Sequence, residues 1–119
     1  MLAVTVQDAN NSAEPFQKFR LHLASETLTV RELIERRVRR EIEIGEDEVE
    51  WLVSITEKLL NKPPATREER LVKTALRGFK NNQFMLFIDD NQVDSLTDKI
   101  TLTPTSTVLF LRLIPLQGG

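Results

Sequence analysis

The chain has 119 residues, one domain's worth, and its 40% hydrophobic and 29% charged residues suit a folded protein rather than a disordered one. Its 16 basic and 18 acidic residues leave a formal charge of −2, so no overall field draws it to nucleic acid. The absence of cysteine excludes disulfides, thiolate zinc sites and a thiol nucleophile, and a single histidine, His22, excludes a histidine-rich metal cluster. With no tyrosine and one tryptophan, little is available for stacking nucleobases. The densest basic stretch, Arg36-Arg37-Val38-Arg39-Arg40, reads as the solvated face of a helix, neutralised by Glu32, Glu35, Glu41 and Glu43. No apolar run approaches the ~18 residues of a membrane span. The first residues also lack a basic region followed by a long apolar core, so the expected location is the cytoplasm.

Leu2, Val4 and Val6 alternate with Ala3, Thr5 and Gln7, the period of a half-buried strand. Asp8-Ala9-Asn10-Asn11-Ser12 supplies turn residues, and Phe19, Leu21 and Leu23 then alternate with Lys18, Arg20 and His22. The two runs predict an opening hairpin with His22 on its polar side. After that the period changes. Thr29-Val30-Arg31-Glu32 fits a capping box, and Val30, Leu33, Ile34, Val38 and Ile42 follow at helical spacing until Gly45.

Two further helical patterns come next. Val49, Leu52, Val53, Thr56, Leu59 and Leu60 share a face until Pro63-Pro64 breaks the chain. Thr66, with Glu69 three residues on, opens the second, in which Leu71, Val72, Ala75, Leu76 and Phe79 share a face. Gly78 and Asn81-Asn82 close it. The expectation is a helical hairpin whose Leu52, Val53, Leu59 and Leu60 pair with Leu71, Val72, Leu76 and Phe79. Trp51 and Ile55 lie off the main stripe, open to a partner or to packing.

The chain then returns to strands. Phe84-Met85-Leu86-Phe87-Ile88 is short and uniformly apolar, and Asp89-Asp90-Asn91 is a turn. The adjacent carboxylates resemble a catalytic pair, but neighbouring acids in a turn are solvated, and no other residues suggest an enzyme, a metal or a cofactor. Val93 begins a brief edge strand, residues 96–100 form a loop or short helical turn, and Val108 to Leu113 is a last strand apolar on both parities. Such a strand belongs in the middle of a sheet. Strands on both sides of one packed helix predict an α+β domain spanning 1–119. In it, Val30, Leu33, Ile34, Val38 and Ile42 face Val4, Val6, Leu21, Phe87, Val108 and Phe110.

The end of the chain resembles the last third of ubiquitin. Ser95-Leu96-Thr97-Asp98, then Ser106-Thr107-Val108-Leu109-Phe110-Leu111-Arg112-Leu113, then a tail closing on Gly118-Gly119 carry the likeness. Leu23 to Val30 and Phe84 to Ile88 are similar to its strand-to-helix passage and its third strand. The resemblance covers residues 1–44 and 83–119. It implies a ubiquitin-like β-grasp with a helical-hairpin insertion at 45–82 and a flexible tail at 114–119. At an average glycine usage of ~7% per position, a closing Gly-Gly arises by chance in about 0.5% of chains.

What the resemblance implies is a protein modifier, with partners to match: an ATP-dependent activating enzyme, a conjugating enzyme, a deconjugating protease and target proteins. The reacting group is the α-carboxylate at Gly119. Gly118 and Gly119 lack the Cβ that would clash in a narrow channel. Residues 114–119 reach at most ~20 Å when extended. Ubiquitin carries arginines before its glycines, whereas here Pro115, Leu116 and Gln117 stand there and Arg112 is the nearby cation. Those four are the expected tail-recognition residues, and the difference implies a dedicated activating enzyme in a divergent, bacterial-type conjugation system. The patch through which ubiquitin meets most partners maps to Leu86, Leu109 and Leu111, expected on the outward face or covered by the insertion. A sulfur carrier ending in a thiocarboxylate, similar to the small subunit of molybdopterin synthase, shares fold, tail and adenylation. A ubiquitin-like interaction domain that is never activated is the third reading.

Overall fold

Alternating side chains build the first hairpin as the sequence predicts, but its first strand runs on to Asn10, so Asp8, Ala9 and Asn10 are strand residues rather than the turn expected. The structure, a computed structural model, describes residues 2–10, 15–43 and 67–113. Strand β1 (Leu2–Asn10) pairs antiparallel with β2 (Pro15–Leu23), setting Val4 opposite Leu21 and Val6 opposite Phe19. A short β3 (Thr27–Thr29) leads into helix α1 (Val30–Glu43). The capping box forms. Thr29 N–H donates to Glu32 Oε1 at 2.8 Å, and Glu32 N–H donates back to Thr29 Oγ1 at 3.1 Å. The next two helix amides, of Val30 and Arg31, donate to the carbonyls of Asp98 and Leu96 at 2.9 and 3.0 Å. Every donor of that first turn therefore has a named partner.

Helix α2 (Arg67–Lys80) and strands β4 (Phe84–Ile88), β5 (Asn91–Val93), β6 (Lys99–Thr101) and β7 (Thr107–Arg112) complete the described chain. Asn82, at φ 59°, ends α2 in the left-handed conformation. The Asn82 and Gln83 amides donate to the carbonyls of Phe79 and Gly78 at 3.1 and 2.8 Å. Gly78 therefore lies inside the helix, and Asn82 makes the stop. Five strands form one mixed sheet in the order β2-β1-β7-β4-β5, with β7 parallel to β1 and antiparallel to β4. The strand apolar on both parities does sit in the middle, as expected from its composition. β3 and β6 make a separate two-stranded ribbon, so Lys99-Ile100-Thr101 is a strand rather than the loop or helical turn expected.

One face of the sheet, α1 and α2 enclose a single core. Val4, Val6, Leu21, Leu33, Ile34, Val38, Val108 and Phe110 are all fully buried, while Ile42 is half-buried at the margin. Two expectations are corrected. Phe87 is half-buried on the far side of the sheet, and Leu86 holds the core position instead. The apolar face of α2 does not serve only a hairpin of its own. Leu71, Val72, Ala75, Leu76 and Phe79 join the same cluster as α1 and the sheet, α2 packs along α1, and Phe79 meets the Phe84 ring at 5.8 Å. The expected partners Leu52, Val53, Leu59 and Leu60, together with Gly45, Trp51, Ile55 and Thr66, lie outside the described residues.

Candidate functional site

The site is the sheet face turned away from the helices, together with the end of its last strand. β4 and β7 pair so that Met85 stands opposite Leu111 and Phe87 opposite Leu109. Their neighbours Phe84, Leu86, Ile88, Val108 and Phe110 are buried in the core, so the alternation of a strand turns Met85, Phe87, Leu109 and Leu111 outward. All four are half-buried and form one contiguous apolar cluster. Leu109 and Leu111 stand where the patch was expected. Leu86 does not: it is fully buried and leaves the patch, and Met85 and Phe87 take its place. Five apolar residues in a row carry no alternation, so a one-residue choice of parity has no signal within β4 itself. Its pairing with β7 makes that choice.

The other half of the same face is cationic. Lys18, Arg20 and His22 are exposed on β2, at the parity opposite Phe19, Leu21 and Leu23. Arg20 reaches across β1, donating from Nη1 to Thr5 Oγ1 at 2.9 Å and from Nη2 to the Ala3 carbonyl at 3.0 Å. His22 stands exposed, as its parity predicts, and its carbonyl accepts from Arg36 Nε at 3.0 Å. The face therefore runs from a basic margin on β2 to an apolar cluster on β4 and β7. Chemically it can bind.

Arg112 closes β7, half-buried, with Phe84 opposite on one side and Asn10 on the other. The Leu113 amide donates to the Gln83 carbonyl at 3.2 Å, the last described hydrogen bond before the tail. Pro115, Leu116, Gln117, Gly118 and Gly119 lie outside the described residues. Beneath this strand end, on the core side, is a charged cluster that sequence reasoning missed. Arg37, expected on a solvated helix face, is fully buried and bonded to Asp8, and Glu41 is buried with it; Arg36 and Arg40 are half-buried, and Arg39 keeps the expected exposure. A signal was present. Arg37 lies three residues after Ile34 and four after Leu33, on the apolar stripe itself.

Asp89 and Asp90 form a tight turn with φ of 48° and 70°, the left-handed pair that a two-residue hairpin requires. Asp89 Oδ1 accepts from the Thr107 amide at 2.8 Å, so this carboxylate is a structural acceptor in an exposed turn. Among the described residues no group of three His, Cys, Asp or Glu side chains could hold a metal ion, and no helix is long and apolar enough to cross a membrane. No protein-family model matches the chain, and no curated protein or solved structure matches it significantly.

Proposed function

We infer that the chain is a ubiquitin-like modifier of the β-grasp class, activated at the Gly119 carboxylate and conjugated to other proteins. The observation that carries this reading is the strand order β2-β1-β7-β4-β5, with the last strand central and parallel to the first. That strand leads directly towards a stretch ending in Gly118-Gly119. A mixed sheet packed on one helix, with the final strand in its middle, is what the ubiquitin resemblance implies. Residues 45–82 are then the insertion, of which α2 is the described part.

The chemistry follows from the carboxylate of Gly119, once that residue is terminal. Its oxygen attacks the α-phosphate of ATP and pyrophosphate leaves. The resulting acyl adenylate gives its acyl group to a nucleophile and AMP leaves. The chain supplies the electrophile and its presentation, and the enzymes supply catalysis. The outer cluster of Met85, Phe87, Leu109 and Leu111 is the surface those partners grip, because contiguous apolar area on a sheet face marks a binding site.

ATP–pyrophosphate exchange with the cognate activating enzyme tests the reading. Full-length chain supports exchange, and chain lacking Gly118 and Gly119 supports none. Equal exchange from both ends the modifier and sulfur-carrier readings together. Intact mass after the reaction separates those two: an isopeptide adduct marks a modifier and a thiocarboxylate a sulfur carrier.

A further inference from the structure

Arg37 is the largest fully buried side chain among the described residues, and its surroundings come from four elements. From α1 its Nη1 and Nη2 donate as a fork to both carboxylate oxygens of Asp8 on β1, at 2.5 and 2.6 Å. Glu41 Oε1, one helical turn on, stands 3.7 Å from Arg37 Nε and 3.0 Å from Arg40 Nη1. The Arg37 guanidinium carbon lies 4.6 Å from the centre of the Phe110 ring on β7 and 5.3 Å from that of Phe19 on β2. Arg40 sits 3.8 Å from the same Phe19 ring. Asp8, Arg37 and Glu41 are all fully buried.

The placement of this cluster has a consequence. Asp8 stands beside Phe110 in the parallel ladder, two positions before Asn10 meets Arg112 at the end of β7. The ladder between β1 and β2 becomes irregular between Asp8 and Ala9. Beyond Asp8, therefore, the last pairs of β1 and β7 lose regular support from β2. Apolar burial is non-directional and would fill this space without fixing the strand's position. A planar guanidinium forked onto a carboxylate and laid on a ring fixes both distance and orientation.

We propose that Asp8, Arg37 and Glu41 form an internal clamp that holds the C-terminal half of β7, and so sets the point from which the tail leaves the body. The role at the tail rests on the modifier reading. The clamp itself does not, and it is testable on the isolated chain. Asp8→Asn takes away the carboxylate that the guanidinium forks onto and leaves Glu41 to balance both Arg37 and Arg40, so it acts on the clamp directly.

Hydrogen exchange of the full chain reads the outcome. In Asp8→Asn the amides of residues 110–113 lose protection by about tenfold or more relative to α2 and the β3–β6 ribbon, the signature of local opening. Leu102→Ala, which removes a fully buried side chain outside the clamp, shows no such selective loss. Should Asp8→Asn fail to fold, the double variant Asp8→Leu with Arg37→Met decides. It removes both charges and retains apolar volume, and it is expected to unfold cooperatively while showing the same loss at 110–113. A rise in exchange no larger at 110–113 than in α2 and the β3–β6 ribbon, or native protection at 110–113 in the double variant, overturns the clamp. If the wild-type chain is never activated while the selective loss appears, the modifier reading fails and the clamp stands.

Discussion

The two faces of the five-stranded sheet are made by the same strands yet obey different rules. The inner face is covered by α1 and α2, and Val4, Val6, Leu86 and Phe110 on it are fully buried. Even the polar Asp8 on this face is held there, bonded to Arg37 of α1. The outer face keeps Met85, Phe87, Leu109 and Leu111 half-buried beside a basic margin at Lys18, Arg20 and His22. The difference teaches that apolar content alone does not assign a residue to the core of this protein. Leu86 and Phe87 are neighbours of similar character with opposite fates.

The largest test removes the cover of the inner face. Because α2 shares one cluster with α1 and the sheet, replacing residues 45–82 with a linker is expected to abolish cooperative thermal unfolding. An insertion standing apart from a complete core would instead leave a folded domain when deleted. A sharp transition in the deletion variant would show that the sheet and α1 suffice.

Breaking the inner face chemically comes next. Asp8→Asn takes the forked carboxylate from the buried Arg37 and should cost about 3–5 kcal/mol in urea unfolding, while the double variant Asp8→Leu with Arg37→Met recovers most of it. Neighbouring positions on β4 then sharpen the contrast between faces. Leu86→Ala should cost about 2–5 kcal/mol through lost burial and a cavity. Phe87→Ala, on the outer face, should cost about 1 kcal/mol, despite the larger side chain removed. A larger cost at Phe87 than at Leu86 would mean that the parity of β4 is the reverse of that described. The smallest effect belongs to the exposed pair of Arg39 and Glu68, which joins α1 to α2 at 2.6 Å. A double-mutant cycle should find about 0.2–1 kcal/mol, reduced by salt.

Much of the fold was legible in residue order because its signals are local. The alternation of Leu2, Val4 and Val6, the Thr29–Glu32 capping box and the turn at Asp89-Asp90 each act within a few residues. The structure keeps all three. The candidate site was legible only in part. Leu109 and Leu111 alternate with the buried Val108 and Phe110, but β4 has no polar residue to mark a side.

By itself, then, the sequence determined the opening hairpin, the capped helix and the central place of a last strand apolar on both parities. Periodicity and backbone chemistry act over a turn or a strand, and one chain suffices to express them. Tertiary structure decided what depends on residues far apart in the chain. Pairing with β7 chose which side of β4 faces the core. Packing along α1 placed α2 in the common core. The carboxylate of Asp8 drew Arg37 inside, from 29 positions away, because a buried cation needs its counter-charge within bonding distance.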